Sequence, residues 1–259
     1  MILNRIPGIQ RVTFLFILTL LAACNPPSET PLTKDGKHYI VIDSTIRSSE
    51  ALEKIIEPYR EQIQKKMNRV IGYSDVDLLK GRPESPLTNF VSDIVLKRGK
   101  ELAGEKDLPV PVMSVVNTKG LRSPIKKGEI TVESIFRLMP FENKLVILKL
   151  SGEVTQRLFE HMAEFGGESM SGAVFGIKDD KPVNIRIGGK PFDVKRSYFV
   201  IVPDYIANGG DRYYMLKDAV ERYDTGVLIR DAIITGIEEL NKQNKHIDSK
   251  PDKRVYYVD

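Results

Sequence analysis

Apolar and polar positions alternate along this chain with two different periods. Apolar residues spaced three and four apart predict helices after Ser48 or Ser49, after Ser85, after Ser151, at 131–139 and at 227–241. Short runs rich in β-branched and other apolar residues predict strands at 38–46, 69–73, 110–117, 144–150, 171–178, 183–187, 197–202 and 254–258. Because strands and helices are mixed without strict β-α-β alternation, the pattern predicts an α+β fold, a mixed sheet with packed helices.

The first predicted helix has a clear apolar face. Residues at i, i+3, i+4 and i+7 form one stripe, which we expect to be buried against the rest of the domain. These residues are Leu52, Ile55, Ile56, Tyr59 and Ile63. Pro58 lies among them, and because proline lacks a backbone N–H we expect it to kink or restart the helix.

The N-terminal residues have the features of an export signal. Arg5 and Arg11 precede an apolar run at 12–23, which is shorter than the roughly 20 residues of a membrane-spanning helix. The run ends in small residues directly before Cys24, the only cysteine of the chain. This arrangement resembles a bacterial lipobox and predicts lipid attachment at Cys24 in the bacterial envelope, on its periplasmic or cell-surface side. An ordinary signal peptide is the alternative.

The chain is therefore expected to comprise a lipoprotein signal peptide (1–23), a Pro-rich extended tether (24–37) and one domain (38–259). Its hydrophobic fraction of 41% is sufficient for a packed core. Residues 1–23 contain two of the 39 Lys and Arg and none of the 35 Asp and Glu, so the mature charge is about +2. This small charge argues against a nucleic-acid polymer as partner.

Residue patterns of the common hydrolytic and cofactor sites are missing. The three histidines, His38, His161 and His246, are scattered and form no metal-ligand pair. No G-x-S-x-G elbow, phosphate-binding loop or dinucleotide fingerprint occurs in the sequence. We therefore predict no catalytic residue, no metal site and no cofactor within this chain.

Loops at the ends of predicted strands hold side chains suited to binding instead. They provide arginines for anionic oxygens, amides for hydrogen bonds, rings for stacking and a carboxylate for hydroxyl groups. In that order these are Arg122 and Arg82, Asn117 and Asn143, Phe141 and Tyr205, and Asp211. Taken singly, each has another interpretation: the rings could belong to the core, the Gly-Gly-Asp segment could be a hairpin loop, and the arginines could be surface charges.

Five motifs occur in a fixed order along the chain. They are Asn117-Thr118-Lys119-Gly120-Leu121-Arg122-Ser123-Pro124-Ile125, Gly128-Glu129-Ile130-Thr131, Met139-Pro140-Phe141-Glu142-Asn143, Leu150-Ser151-Gly152 and Tyr205-Ile206-Ala207-Asn208-Gly209-Gly210-Asp211. Together they make the chain, from about residue 46 to residue 241, resemble the C-terminal, substrate-binding domain of the 5'-nucleotidase family. That resemblance implies an α+β domain that clasps a nucleoside.

Carried over from the resemblance, each matching residue has an expected role in substrate binding. Phe141 and Tyr205 would sandwich the base, Asn143 would bond the base edge, Asp211 would bond the ribose hydroxyls, and Arg122 with Asn117 would make the anion- and sugar-side contacts.

Three positions fit the resemblance less well. The family's Asn-x-Gly-Gly turn has Lys119 at its first glycine, which places a charged side chain where backbone usually approaches the ligand. The family's second arginine is matched approximately by Arg82. Gly172 completes the predicted substrate-binding set, although Ser171-Gly172 also fits a strand or turn element.

In this family a separate N-terminal, calcineurin-like domain holds two metals and cleaves the phosphate ester. The D-x-H and G-N-H signatures of that domain do not occur in this sequence. The resemblance therefore implies a nucleotide-recognition module of a split 5'-nucleotidase, with catalysis supplied by a separate dimetal phosphatase chain. Two alternatives remain open: a scaffold lipoprotein that binds no ligand, and a hydrolase that acts alone through an unrecognised site.

Overall fold

A computed structural model describes residues 33–34, 37–38 and 42–259 of the chain. The predicted signal peptide, Cys24 and most of the predicted tether lie outside the described residues. The chain divides into two units, Met1–Pro58 and Tyr59–Asp259. None of the helices in the described part is both long enough and apolar enough to cross a membrane.

In the first unit, β1 (Thr33–Lys34) and β2 (Lys37–His38) form an antiparallel pair. The strand predicted at 38–46 is not formed over its described residues 42–46. Asp43 explains this, because its carboxylate accepts hydrogen bonds from the backbone N–H of Thr45, at 2.8 Å, and from its hydroxyl. An aspartate that bonds the backbone two residues later forms a turn and competes with strand pairing.

The helix that follows, α1 (Glu50–Met67), is continuous through Pro58, so the expected restart does not occur. Its predicted burial is wrong, because none of the helix residues is buried. The five apolar side chains of the stripe are between 45% and 66% exposed. Helical spacing determines which residues share a face, whereas burial depends on what lies against that face.

The second unit contains mixed strands and helices, which confirms the predicted fold class. Its strands are β3 (Val70–Ser74), β4 (Met113–Val116), β5 (Gly128–Thr131), β6 (Lys144–Leu150), β7 (Ser169–Ser171), β8 (Ala173–Lys178), β9 (Lys181–Ile187), β10 (Lys190–Pro191), β11 (Tyr198–Pro203), β12 (Glu221–Leu228) and β13 (Val255–Tyr257). Its helices are α2 (Pro86–Lys106), α3 (Val132–Leu138), α4 (Gly152–Glu164), α5 (Asp204–Ala207) and α6 (Ile229–Lys242).

The helix starts follow from local sequence. Ser85 caps α2 and forms a reciprocal capping box with Thr88, and a proline occupies the first helical position. Ser151 caps α4 by accepting a hydrogen bond from the N–H of Val154. Such caps satisfy N–H groups that have no partner within the helix, which confirms the two predicted starts.

The pattern does not predict the strands β5, β10 and β12, and one predicted strand is divided. β12 is an edge strand with charged residues such as Glu221, Arg222 and Asp224, so it lacks a buried apolar run. The predicted strand at 171–178 is divided at Gly172 into β7 and β8, which belong to different sheets. A change of sheet cannot be read from side-chain polarity.

The main sheet has five strands in the order β12-β6-β11-β4-β7, and a second sheet has the order β10-β9-β8-β13. The main sheet is covered on both faces, as β6 illustrates. Leu145 and Ile147 contribute to a core with residues of α2, α3 and α6, whereas Val146, Leu148 and Leu150 contribute to a core with residues of α4 and the second sheet. Burial of both faces explains the nearly continuous apolar sequence of β6.

Strand direction in the main sheet determines where the loops meet. β11 is parallel to β4 and antiparallel to β6, and it lies between them. The carboxyl ends of β4 and β11 and the amino end of β6 therefore lie at the same edge of the sheet. The loops that follow β4 and β11 and the loop that precedes β6 converge there.

Candidate ligand-binding site

The converging loops enclose a cleft with a volume of about 280 Å³. The structure brings together six of the residues predicted from sequence, and their role in binding stays a prediction. The residues that line the cleft are Asn117, Lys119, Gly120, Arg122, Phe141, Asn143, Tyr205 and Asp211.

The loop after β4 forms one wall of this cleft. Asn117 is buried at the strand end and precedes a 3-10 turn, Thr118–Gly120. Its side-chain Nδ2 donates to Oδ2 of Asp211 over 2.7 Å, and its Oδ1 is buried without a hydrogen-bond partner in the described part of the chain. Gly120 leaves room for this amide, because a Cβ there would lie 3.2 Å from both of its polar atoms.

The loop after β11 forms the opposite wall. Gly210 packs against the ring of Tyr205, so closely that a Cβ at this position would lie 2.5 Å from the ring. Gly209 and Asp211 both have left-handed backbone conformations, with φ of 89° and 48°. This tight turn directs the Asp211 carboxylate toward Asn117, while the Tyr205 hydroxyl makes a long contact of 3.4 Å to Oδ1 of Asp211.

Phe141 and Tyr205 present aromatic surface to the cleft. They are 41% and 45% exposed, so the interpretation of these rings as core residues is excluded. Asn143 is half-buried, and its backbone carbonyl accepts a hydrogen bond from the N–H of Ile229 at the start of α6. Aromatic faces that are partly exposed are suited to stacking against a planar group.

Two cations line the cleft. The backbone N–H of Arg122 donates to the carbonyl of Leu138 over 2.8 Å, which fixes the turn from which its side chain extends. The side chain of Lys119 is exposed, and its Nζ lies 5.6 Å from the centroid of the Phe165 ring. Sequence reasoning noted Lys119 as a departure from a glycine motif but did not include it among the binding residues.

Arg82 and Gly172 do not line the cleft. The guanidinium of Arg82 donates to Oε1 of Glu168 over 2.8 Å and to the backbone carbonyls of Phe165 and Gly167. Gly172 has a φ of 80°, and a Cβ there would lie 2.2 Å from the carbonyl oxygen of Val112. The need for glycine at position 172 is thus explained by the close packing of two backbone segments.

Beside the turn that follows β4 lies an ion pair whose carboxylate the sequence did not indicate. Glu168 is only 6% exposed and bonds Arg82, while its other oxygen accepts the backbone N–H of Thr118 over 2.6 Å. A buried carboxylate is stable only when it is paired and hydrogen-bonded. The Arg82–Glu168 pair therefore holds the turn that carries Asn117 and Lys119.

Two further groups pack behind the loop after β11. The rings of His161 and Tyr213 lie 4.3 Å apart. Burial lowers the pKa of His161, against the opposing effects of Glu168, Glu164 and a hydrogen bond to the Asp211 backbone. Burial also raises the pKa of the Tyr213 phenol well above its ordinary value, so this hydroxyl stays neutral at physiological pH.

The arrangement can bind a ligand with an aromatic part, hydroxyl groups and an anionic part. It does not fit a pair of catalytic metals, because the residues that the structure describes contain no group of three or more His, Cys, Asp or Glu able to hold a metal ion. The side chains that line the cleft offer aromatic surface, hydrogen-bonding groups and charge.

Comparisons with known proteins give an independent result. A family model described as the 5'-nucleotidase C-terminal domain matches residues 70–218. The trifunctional nucleotide phosphoesterase protein YfkN of Bacillus subtilis is 26% identical over 247 residues, which cover 87% of this chain and 16% of that protein. The 5'-nucleotidase of Rattus norvegicus is 26% identical over 245 residues, which cover 84% of this chain and 42% of the rat protein.

A solved structure shows the same fold. The crystal structure of a 5'-nucleotidase precursor from Thermus thermophilus superposes with a TM-score of 0.67 at 27% identity, and the match covers 80% of this chain and 43% of that one. The chain thus spans less than half the length of these relatives. Because the family model covers more than half of the 259 residues, this chain belongs to the family of 5'-nucleotidase C-terminal domains.

Proposed function

We propose that this chain is a nucleotide- or nucleoside-recognition module of a 5'-nucleotidase-type hydrolase that acts in nucleotide catabolism. One observation carries the proposal: the rings of Phe141 and Tyr205 line the same cleft as Asn143 and Asp211. A base held against aromatic rings gains about 1–3 kcal/mol per stacked base. An amide and a carboxylate beside the rings supply hydrogen bonds for a base edge and for ribose hydroxyls.

We assign catalysis to a separate calcineurin-like metallophosphatase chain that would carry two divalent metals. The exposed apolar stripe of α1 supports contact with a protein partner, because contiguous exposed apolar surface often marks an interaction site. In this arrangement the cleft holds and orients the nucleoside while the partner cleaves the ester.

We further propose that the chain is attached to the bacterial envelope through a lipid on Cys24. Replacement Cys24→Ala is expected to move the protein from the membrane fraction to the soluble fraction of cells. An unchanged membrane fraction would contradict lipid attachment at this residue.

The recognition step is tested by calorimetry of the full chain, purified in detergent, with adenosine as the ligand. We expect saturable binding that weakens when Phe141 is replaced by alanine. An absence of heat for the unchanged protein would favour the alternative of a scaffold that binds no ligand.

The catalytic division is tested by phosphate release from AMP with Mn²⁺ or Zn²⁺. We expect turnover only when the chain is combined with a metallophosphatase chain, for which a protein encoded beside it in the genome is the first candidate. Ile63→Glu, which places a charge in the apolar stripe of α1, is expected to reduce this stimulated rate without changing adenosine affinity. Turnover by the chain alone above about 1 s⁻¹, the low end of typical enzymes, would instead support a hydrolase with an unrecognised site.

A further inference from the structure

Charge in the cleft is not balanced. Three charged side chains line it, namely Lys119, Arg122 and Asp211. Asp211 already has partners, since it accepts from Asn117 and makes the long contact with Tyr205. In contrast, the side chains of Lys119 and Arg122 make no hydrogen bond or ion pair with any residue that the structure describes. An excess of positive charge therefore faces the space in which a ligand would lie.

Arg82 does not contribute to this excess. Its guanidinium is occupied by Glu168 and by two backbone carbonyls behind the cleft. Breaking this pair would leave Glu168 buried without its cation, which is costly. The second cation available to a ligand is thus Lys119.

The backbone at Lys119 tolerates a side chain. The residue lies within the 3-10 turn Thr118–Gly120 and is absent from the positive-φ positions of the described chain. Its side chain lines the cleft, and its Nζ lies within cation–π distance of the Phe165 ring. Because a lysine here needs no strained backbone, the turn keeps the geometry that Asn117 requires.

A phosphomonoester suits the two cations. It carries close to two negative charges at pH 7, and its three oxygens accept hydrogen bonds. Arg122 offers a planar fork of donors, and Lys119 offers a compact point charge with three donors. A neutral nucleoside has no group that would engage either side chain through charge.

We propose that Lys119 is a specificity-determining residue that, together with Arg122, contacts the phosphate of a bound nucleotide and makes the cleft prefer nucleotides to nucleosides. This inference rests on the proposed function, because it needs the base to occupy the ring-lined part of the cleft. It also implies that loss of the phosphate weakens retention, so a dephosphorylated product would leave more readily than the substrate.

The test is calorimetry of the full chain with AMP and with adenosine, at low and high salt, for the unchanged protein and three variants. Lys119→Met removes the charge and keeps much of the length, and Lys119→Arg keeps the charge. Lys181→Met, at an exposed lysine of β9 outside the cleft, controls for the loss of one positive charge.

We expect Lys119→Met to weaken AMP binding about 10-fold, as for loss of a hydrogen bond to a charged group, and to change adenosine binding less than about twofold. The salt dependence of AMP binding should also decrease in this variant. Lys119→Arg and Lys181→Met should both retain the preference for AMP.

Four results would overturn the inference. Equal losses for AMP and adenosine in Lys119→Met would mean that Lys119 shapes the cleft without contacting the phosphate. No change for either ligand would mean that Lys119 is a solvated surface lysine. Binding of adenosine that depends on Phe141, but without any preference for AMP, would refute the inference and leave the proposed function standing. Binding of neither ligand would refute both the inference and the proposed function.

Discussion

Replacement of Phe141 by alanine examines the base-binding interpretation most directly. The ring is 41% exposed, so a bound base could cover part of its surface. Stacking of a base on an aromatic side chain contributes about 1–3 kcal/mol, which corresponds to a loss in affinity of roughly 5- to 150-fold on truncation. We expect Phe141→Ala to weaken adenosine binding within this range.

The loss should appear in binding and not in folding. Because Phe141 lies at the surface and outside both hydrophobic cores, its truncation is expected to change the unfolding free energy by about 0.5 kcal/mol or less. Calorimetry with adenosine measures the affinity, and thermal denaturation followed by circular dichroism measures the stability of the same samples. Phe141→Tyr keeps an aromatic face and should bind adenosine within about threefold of the unchanged protein.

Tyr257 offers a matched control. It is an aromatic residue in β13 that does not line the cleft, and it is 61% exposed. Tyr257→Ala should leave adenosine affinity unchanged. The reasoning is refuted if Phe141→Ala and Tyr257→Ala give the same affinity as the unchanged protein, because a ring that stacks on the ligand must contribute to its binding.

Three further predictions concern the residues around the cleft. Glu168→Ala should lower the unfolding free energy by about 2 kcal/mol, which is less than for a fully buried ion pair because Arg82 is partly exposed. Denaturant titration measures this loss, with Glu133→Ala as the control because Glu133 belongs to an exposed ion pair. Equal losses in the two variants would contradict the prediction. Gly120→Ala should weaken adenosine binding severalfold, because the added Cβ crowds the amide of Asn117; unchanged affinity in calorimetry would show that the turn adapts. Burial lowers the pKa of His161 in the folded protein. As pH falls below about 6.5, His161 is therefore protonated in the unfolded chain before it is protonated in the folded one. The contribution of His161 to the unfolding free energy should be fully present above that pH and decrease below it. His161→Phe should reduce the change in melting temperature between pH 7 and pH 5.5. An unchanged pH dependence would rule out His161 as the cause of that change.

Much of the fold follows from local sequence. Ser85 and Ser151 start helices because their hydroxyls bond N–H groups that lack helical partners, and this chemistry needs only residues three positions apart. The apolar run of β6 likewise indicates a strand covered on both faces. The same local rules could not show that residues 42–46 form a turn around Asp43, because the β-branched pattern and the Asp side chain favour different structures.

The candidate site was accessible to sequence reasoning only in part. Residue types and their order indicated that Asn117, Phe141, Asn143 and Tyr205 form one set, and the strand directions explain why their loops meet. The sequence could not indicate which arginine faces the cleft, since this depends on where its carboxylate partner lies.

The sequence by itself thus determined most of the helices and strands, the apolar faces and the inventory of binding groups, because these depend on neighbours within a few residues. Only the tertiary structure decided which groups share a space. Glu168 lies 86 residues from Arg82 in the chain, yet it binds that arginine and the turn of Thr118. Contacts of this range depend on how strands and helices pack, and they leave Lys119 rather than Arg82 as the second cation at the cleft.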